Sequence, residues 1–272
     1  MHDGIPDALR EAGDALIREG ERLEDLQLGS LRILQKTHGF RFGMDAVLLA
    51  DFARMDGKAR VADFGTGTGV LPLLLHGRGK GRCCDAFEIQ ADMADMAART
   101  MRLNGLEDTI RVHCAPVSDA PEILGEGSAD HVVCNPPYGL AGHGQPSAEE
   151  ATRLARHQGE SGLSEWLRAA YRLLRPRGRF TMVYPAGQTL LAMNALDDAR
   201  LTPKRFRMVY PTAAKRAKLV LIEAVRDARP MLIAEPPLIL FREDGSPGDE
   251  YRTIYHLNPP ADKGAADGIP LA

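Results

Sequence analysis

The stretch VADFGTGTGV, residues 61–70, carries an apolar run into three glycines spaced one residue apart: Gly65, Gly67 and Gly69. The apolar character resumes at once in TGVLPLLLHGR, so the stretch reads as a strand, a tight turn and a helix start. Glycine allows tight turns and close backbone approach to a ligand. The free amides of a helix N-terminus favour a negatively charged group. The next apolar run, CCDAFEI, contains Glu88, 19 residues after Gly69. A carboxylate at the end of the second strand can accept hydrogen bonds from ribose hydroxyls. The spacing is G-x-G-x-G rather than G-x-G-x-x-G, and no Gly-Lys-Ser/Thr follows, so this is not a P-loop. The bound group need not be a pyrophosphate. Asp63, two residues before the first glycine, suits the amine of a zwitterionic amino acid. The candidate cofactor residues are Asp63, Gly65, Thr66, Gly67, Gly69 and Glu88.

Outward from this stretch the pattern repeats. QADMADMAARTMRLNG has helical spacing, TIRVHC and DHVVCN read as strands, LSEWLRAAYRLLRPRG as a helix, RFTMVYP as a strand and GQTLLAMNALDDA as a helix. KRFRMVYP and AKLVLIEAVRD are adjacent late strands. Alternating strands and helices predict an α/β fold with a parallel sheet and helices on both faces, closed by an antiparallel edge hairpin. Before the glycine loop, MDAVLLADFARM predicts a helix with Asp45 as its cap, and LGSLRILQKTHGFRFG a short hairpin or arm. Residues 6–26 could form a peripheral helix through Leu9, Ala12, Leu16 and Ile17. The expected organisation is an acidic extension (1–27), a main domain (28–258) and a flexible tail (259–272).

The second motif is CNPPYG, Cys134–Gly139, at the end of the DHVVCN strand. Prolines remove backbone donors and fix φ, which makes a rigid loop. In open parallel sheets ligands collect beyond the carboxyl ends of strands, so this loop and the glycine loop share one crevice. Asn135 and Pro136 offer carbonyl acceptors, and Tyr138 offers a flat ring. Such a set suits a planar group bearing an NH2. The candidate catalytic residues are Asn135, Pro136 and Tyr138, with Pro137 beside the substrate. The bland alternative is a strand terminator with Tyr138 in the core.

Bulk properties narrow the partners. The chain has 272 residues, 44% of them apolar, and a net charge of −3, so it is not a basic nucleic-acid binder as a whole. Charge is uneven: residues 1–26 carry net −5, whereas residues 200–229 carry net +7. Lys204, Arg205, Arg207, Lys215, Arg216 and Lys218 flank the turn VYPTAAKRA and could meet phosphate; a solvated edge hairpin with protective lysines is the alternative. Phe40, Arg41 and Phe42 alternate aromatic and basic character, as segments that stack bases and hold phosphates do. The segment 139–160 reads as a long functional loop. His38, His143 and His157 lie near these candidate loops but read as structural or surface residues, and Trp166 as core. Cys83, Cys84, Cys114 and Cys134 form no CxxC pair and have no histidine at ligand spacing, so no metal is expected. The acidic start MHDGIPDALREAGD is no secretory signal, and a soluble, cytoplasmic protein is expected.

Together, DFGTGTG, Glu88, LNGL at Leu103–Leu106 and NPPY resemble class I S-adenosylmethionine-dependent methyltransferases acting on exocyclic or amide nitrogens. ILQKTHGFRFGMDAVLLADFA and AKLVLIEAVRD…PPLILFREDG extend the resemblance to the bacterial valine-tRNA adenine-N6-methyltransferase group, over about residues 28–258. The resemblance implies a Rossmann-like, seven-stranded, mostly parallel sheet with an antiparallel last hairpin. It implies S-adenosylmethionine held by Asp63, Gly65, Gly67, Gly69 and Glu88, and an adenine amine of tRNA held by Asn135 to Tyr138. One departure stands out: where many members carry an acid near the third strand's end, this chain has Cys114 and Ala115, leaving backbone contact or Asp119 for the cofactor adenine. A protein-glutamine methyltransferase and an inactive nucleic-acid-binding protein of the same fold are the alternatives.

Overall fold

Period-two alternation builds the centre of the molecule. Val61, Val133, Val183 and Leu221 point to one side of the sheet, while Ala62, Phe64, Val132, Cys134, Met182 and Ile222 point to the other. Strands buried on both faces are the mark of a parallel sheet covered by helices. The computed structural model describes residues 16–37, 43–136 and 162–256. Tyr138, Pro137, Phe40, Arg41, Phe42, the segment 139–160 and the tail from 259 lie outside the described residues.

The parallel strands are β3 (Arg60–Phe64), β4 (Cys83–Glu88), β5 (Ile110–Cys114), β6 (Ala129–Cys134) and β7 (Leu174–Pro185). Beyond β7 the sheet turns antiparallel through β9 (Leu219–Arg226) and then β8 (Leu201–Tyr210). The order across the sheet is β5, β4, β3, β6, β7, β9, β8. Two short segments, β10 (Ile233–Ala234) and β11 (Leu238–Ile239), both pair with the outer side of β8. The expected parallel sheet with an antiparallel edge hairpin is therefore present, extended by these two pieces.

Helices cover both faces. On one side α1 (Met44–Phe52) and α2 (Val70–Gly77) bury Leu48, Leu49, Leu73 and Leu75, joined by Ile254 of α7 (Asp249–Ile254). Every residue of α2 from Val70 to Leu75 is buried, as an all-apolar helix must be. On the other side lie α5 (residues 162–173) and α6 (Thr189–Asp198), with Leu167, Ala170, Leu173 and Leu196, and the first residue of α4 (Ala120–Leu124). The α1 helix starts at Gly43 without a side-chain cap; Asp45 sits inside the first turn rather than capping it. Its other end is closed by Lys80, whose Nζ donates to the carbonyls of Ala50, Asp51 and Ala53 at 2.6–2.8 Å.

Residues 16–26, the described part of the helix expected over 6–26, are not helical, and residues 6–15 lie outside the described residues. Residues Glu21–Asp25 form β1, antiparallel to β2 (Arg32–Lys36), so the hairpin spans the boundary expected after residue 27. Gln27, Gly29 and Ser30 all take positive φ in the turn that joins the two strands. The hairpin docks on α3 (Ala91–Leu103): Arg99 forks onto Glu21 at 2.7 Å, and Asn104 bonds both the N–H and the carbonyl of Arg32. The Arg99 fork holds the Glu21 carboxyl below the usual carboxylate range. The LNGL motif thus has a structural use: its Asn ties hairpin to helix.

Arg205 corrects a second expectation. Its side chain is 5% exposed, pairs with Glu223 and Glu235 at 3.1–3.2 Å and lies 3.7 Å from the Phe52 ring centroid. It joins the edge hairpin to α1 and is withdrawn from any phosphate. Arg205→Met leaves Glu223 buried with only Arg179 as a partner. Urea unfolding is expected to show a loss of about 3 kcal/mol, the scale of breaking a buried ion pair.

Candidate active site

Parallel register brings the two motifs together. Phe64 of β3 lies between Phe87 of β4 and Cys134 of β6. One residue further along, the chain enters Gly65 on the central strand, Glu88 on one neighbour and Asn135 on the other. Adjacent strands lie about 4.8 Å apart, so glycine loop, acid and Asn135 share one rim of the sheet. Asn135 is half-buried and Pro136 buried. The sheet assembles the described part of the expected site: Asp63, Gly65, Thr66, Gly67, Gly69, Glu88, Asn135 and Pro136.

The glycine loop needs its glycines at two points in particular. Gly65 has φ +75°, and a Cβ there would lie 2.7 Å from Trp166 Cη2. Gly69 has φ +88° and a Cβ there would lie 2.5 Å from Met101 Cε. The loop folds back on β4: the amides of Gly65 and Thr66 both donate to the Phe87 carbonyl. Glu88 then grips the loop apex, with Oε2 accepting the Gly67 N–H at 3.0 Å and Oε1 accepting the Gln90 N–H at 2.9 Å. Its remaining lone pairs are available to hydroxyl donors.

Asp63 is the most costly residue of the site. It is 1% exposed, and among the described residues neither carboxylate oxygen has a hydrogen-bond partner. The Thr66 hydroxyl is close enough to moderate its titration, yet makes no hydrogen bond to it. Burial pushes the Asp63 carboxyl up to about 7, and the Glu88 charge adds to the effect. A buried, unpaired acid beside an orphaned hydroxyl is a site awaiting a cation or donor.

The structure also separates the basic candidates. The β8–β9 turn, residues 211–218, lies at the same end of the sheet as Asn135, because Leu219 pairs with Pro185 and Met182 with Cys134. Lys215, Arg216 and Lys218 are exposed there, with no ion pair among the described residues. Arg207 is bound by Glu250 in a two-pronged pair at 2.5–2.6 Å, and Lys204 reaches the Arg229 carbonyl towards the far end of β8. At the third strand's end, the Ala115 N–H already donates to the Glu88 carbonyl, which closes that backbone donor to an adenine. Asp119 is exposed and accepts the Ser118 hydroxyl.

Residues beyond the two motifs also line this rim. Trp166 of α5 covers Gly65, and Ile89, 68% exposed, presents an apolar face directly after Glu88. Tyr184 lies two residues past the Met182–Cys134 pair, with its hydroxyl pushed up by burial. Trp166 also packs against the core, as its helical spacing predicts; an isoleucine directly after a strand-ending acid is the sequence signal for Ile89.

Two outcomes test this geometry. Gly65→Ala must move Trp166 and adopt a left-handed φ, and is expected to cost ~1–3 kcal/mol in denaturant unfolding. Asp63 has a folded pKa raised above its unfolded value of about 3.9. The ligand-free protein should therefore lose stability as pH rises from about 4 to about 7 and level off above. Asp63→Asn removes that slope, so its melting temperature at pH 8 should exceed the parent's, read by scanning calorimetry.

Among the described residues, no helix is long and apolar enough to cross a membrane, and no group of three or more His, Cys, Asp or Glu is placed to hold a metal. The sequence profile of the methyltransferase small domain family matches residues 43–199. A tRNA1(Val) (adenine(37)-N6)-methyltransferase of Tolumonas auensis is 34% identical over 56% of this chain and 63% of its own length. One of the same description from Aeromonas hydrophila is 30% identical over 78% of this chain and 86% of its own. Among solved structures, a predicted O-methyltransferase of Agrobacterium tumefaciens superposes with a TM-score of 0.63 at 21% identity, covering 78% of this chain and 96% of the other. The profile match spans more than half of the sequence, and the chain belongs to the methyltransferase small domain family.

Proposed function

We propose that this protein transfers a methyl group from S-adenosylmethionine to the exocyclic N6 of an adenine in tRNA, next to the anticodon. The observation that carries the reading is the rim itself: a buried Asp63 with no hydrogen-bond partner among the described residues, a glycine turn and Glu88 stand beside Asn135 on neighbouring parallel strands. The residues fit the cofactor. Asp63 and Thr66 supply an anion and a hydroxyl for its ammonium end, Glu88 supplies acceptors for its ribose, and Ile89 an apolar face beside them. When bound, S-adenosylmethionine supplies an electrophilic methyl on a positively charged sulfur.

The chain's own work is orientation. An adenine amine is a weak nucleophile because its lone pair is delocalised into the ring. Acceptors at the Asn135 side chain and the Pro136 carbonyl polarise its N–H bonds and aim the lone pair. Tyr138 supplies a ring on which the base stacks, worth about 1–3 kcal/mol. Good alignment alone removes roughly 7–11 kcal/mol of barrier. The proton leaves after methylation, when the nitrogen is acidic, so no general base is required. The target base must leave its stack to reach the crevice. Lys215, Arg216 and Lys218, exposed at the same end of the sheet and without an ion pair among the described residues, hold the backbone of that RNA in this reading. Phe40, Arg41 and Pro137 are further substrate contacts in this reading.

Incubation with labelled S-adenosylmethionine and total tRNA, followed by nucleoside analysis, is expected to give N6-methyladenosine. Label in a protein glutamine instead would replace this reading with the amide-methylating alternative. Asn135→Ala should lower methyl transfer at least 100-fold while cofactor binding stays within a fewfold. Lys215→Glu with Arg216→Glu should weaken tRNA binding and lower its logarithmic salt slope by about 2. An unchanged slope removes the turn from the RNA site.

A further inference from the structure

Thr68, the fourth residue of the glycine loop Gly65–Gly69, is held from outside the family's shared domain. It is buried, and its hydroxyl accepts a hydrogen bond from Gln35 Nε2 at 2.6 Å. Gln35 is fully buried on β2, eight residues before the stretch 43–199 that matches the family profile. The residue next to Thr68, Gly67, is gripped from the other direction by Glu88. The loop apex is thus clasped by two side chains from different strands, Gln35 on β2 and Glu88 on β4.

A leucine–valine contact would fill this space without burying an amide and a hydroxyl. Burying both is favourable only when they meet with good geometry. A hydrogen bond at 2.6 Å fixes direction as well as distance, which an apolar contact does not. The reach of Gln35 is itself fixed, because β2 is tied to α3 along its length. The Leu34 N–H donates to Thr100 Oγ1, Asn104 brackets Arg32, and Lys36 pairs with Asp92. The α3 helix begins directly after the Glu88–Gln90 turn, so hairpin, helix and loop form one frame around the ligand rim.

We propose that Gln35 is a positioning residue for methyl transfer: through Thr68 it holds the glycine loop in the shape that receives the cofactor. The proposal rests on the methyltransferase reading but not on the identity of the RNA.

The test is a double-mutant cycle on affinity for S-adenosylhomocysteine, measured by calorimetry on the full chain without RNA. Gln35→Met keeps length and apolar bulk and removes the amide; Thr68→Val removes the hydroxyl at similar volume. Each is expected to weaken binding about tenfold, the scale of one well-made hydrogen bond, and the pair together no more than either alone. Thr68→Ser, which keeps the hydroxyl, should bind like the parent. In tRNA methylation, KM for the cofactor should rise about tenfold while kcat falls less than threefold. Losses that add in the double variant, or melting temperatures that drop while affinity stays within twofold, overturn the proposal. So does a Thr68→Ser protein that binds as poorly as Thr68→Val, a comparison that stands even if Gln35→Met does not fold. A parent that binds S-adenosylhomocysteine but methylates no tRNA would sink the substrate assignment and leave the cycle interpretable.

Discussion

The parallel pairing of β3 with β4 on one side and β6 on the other sets everything at the active rim. Side chains alternate across a sheet, so a shift of one residue in either register would turn Asp63 or Asn135 to the wrong face. The register is held by burial on both faces, through Val61 and Val133 on one and Phe64, Phe87 and Cys134 on the other. The apolar core and the chemistry are therefore one specification: the contacts that fill the interior also choose which atoms face the crevice.

That specification carries a local cost. Among the described residues Asp63 is buried without a hydrogen-bond partner, and its hydroxyl neighbour Thr66 is equally unsatisfied. Other buried charges are paired or hydrogen-bonded: Glu223 has Arg179 and Arg205, Arg99 has Glu21, and Glu88 accepts the Gly67 and Gln90 amides. The exception lies where a cationic ligand end would relieve it. The fold is least content at the place where binding can repair it, which makes ligand affinity and the stability of the empty protein opposing demands on one residue.

The glycine loop, Glu88 and Asn135 were legible in the sequence because each ends an apolar run, and the end of a parallel strand is where ligands gather. The sheet order and its antiparallel edge followed from the same alternation. The hairpin β1–β2 was not legible. ERLED is short, charged and only partly buried, and its strand character comes from pairing with RILQK rather than from its own composition. The cluster of cations over residues 200–229 was visible, but its division was not. Arg205 is buried against Glu223 and Arg207 is held by Glu250, whereas the cations of the 211–218 turn have no ion pair among the described residues. Arg205 and Arg207 are two residues apart and share a face of β8, so alternation does not divide them; their separate partners, Glu223 with Glu235 and Glu250, come from distant parts of the chain. Gln35 was invisible for the same reason: nothing near position 35 announces Thr68.

Trp166, the chain's single tryptophan, rests its indole against Gly65 at the mouth of the glycine loop. The protein thus carries one indole fluorophore, and it sits where a ligand would alter its surroundings. Emission from the unlabelled molecule reports on that loop alone, without interference from other indoles. Occupancy of the crevice can be followed in real time by excitation near 295 nm, on the chain as it stands.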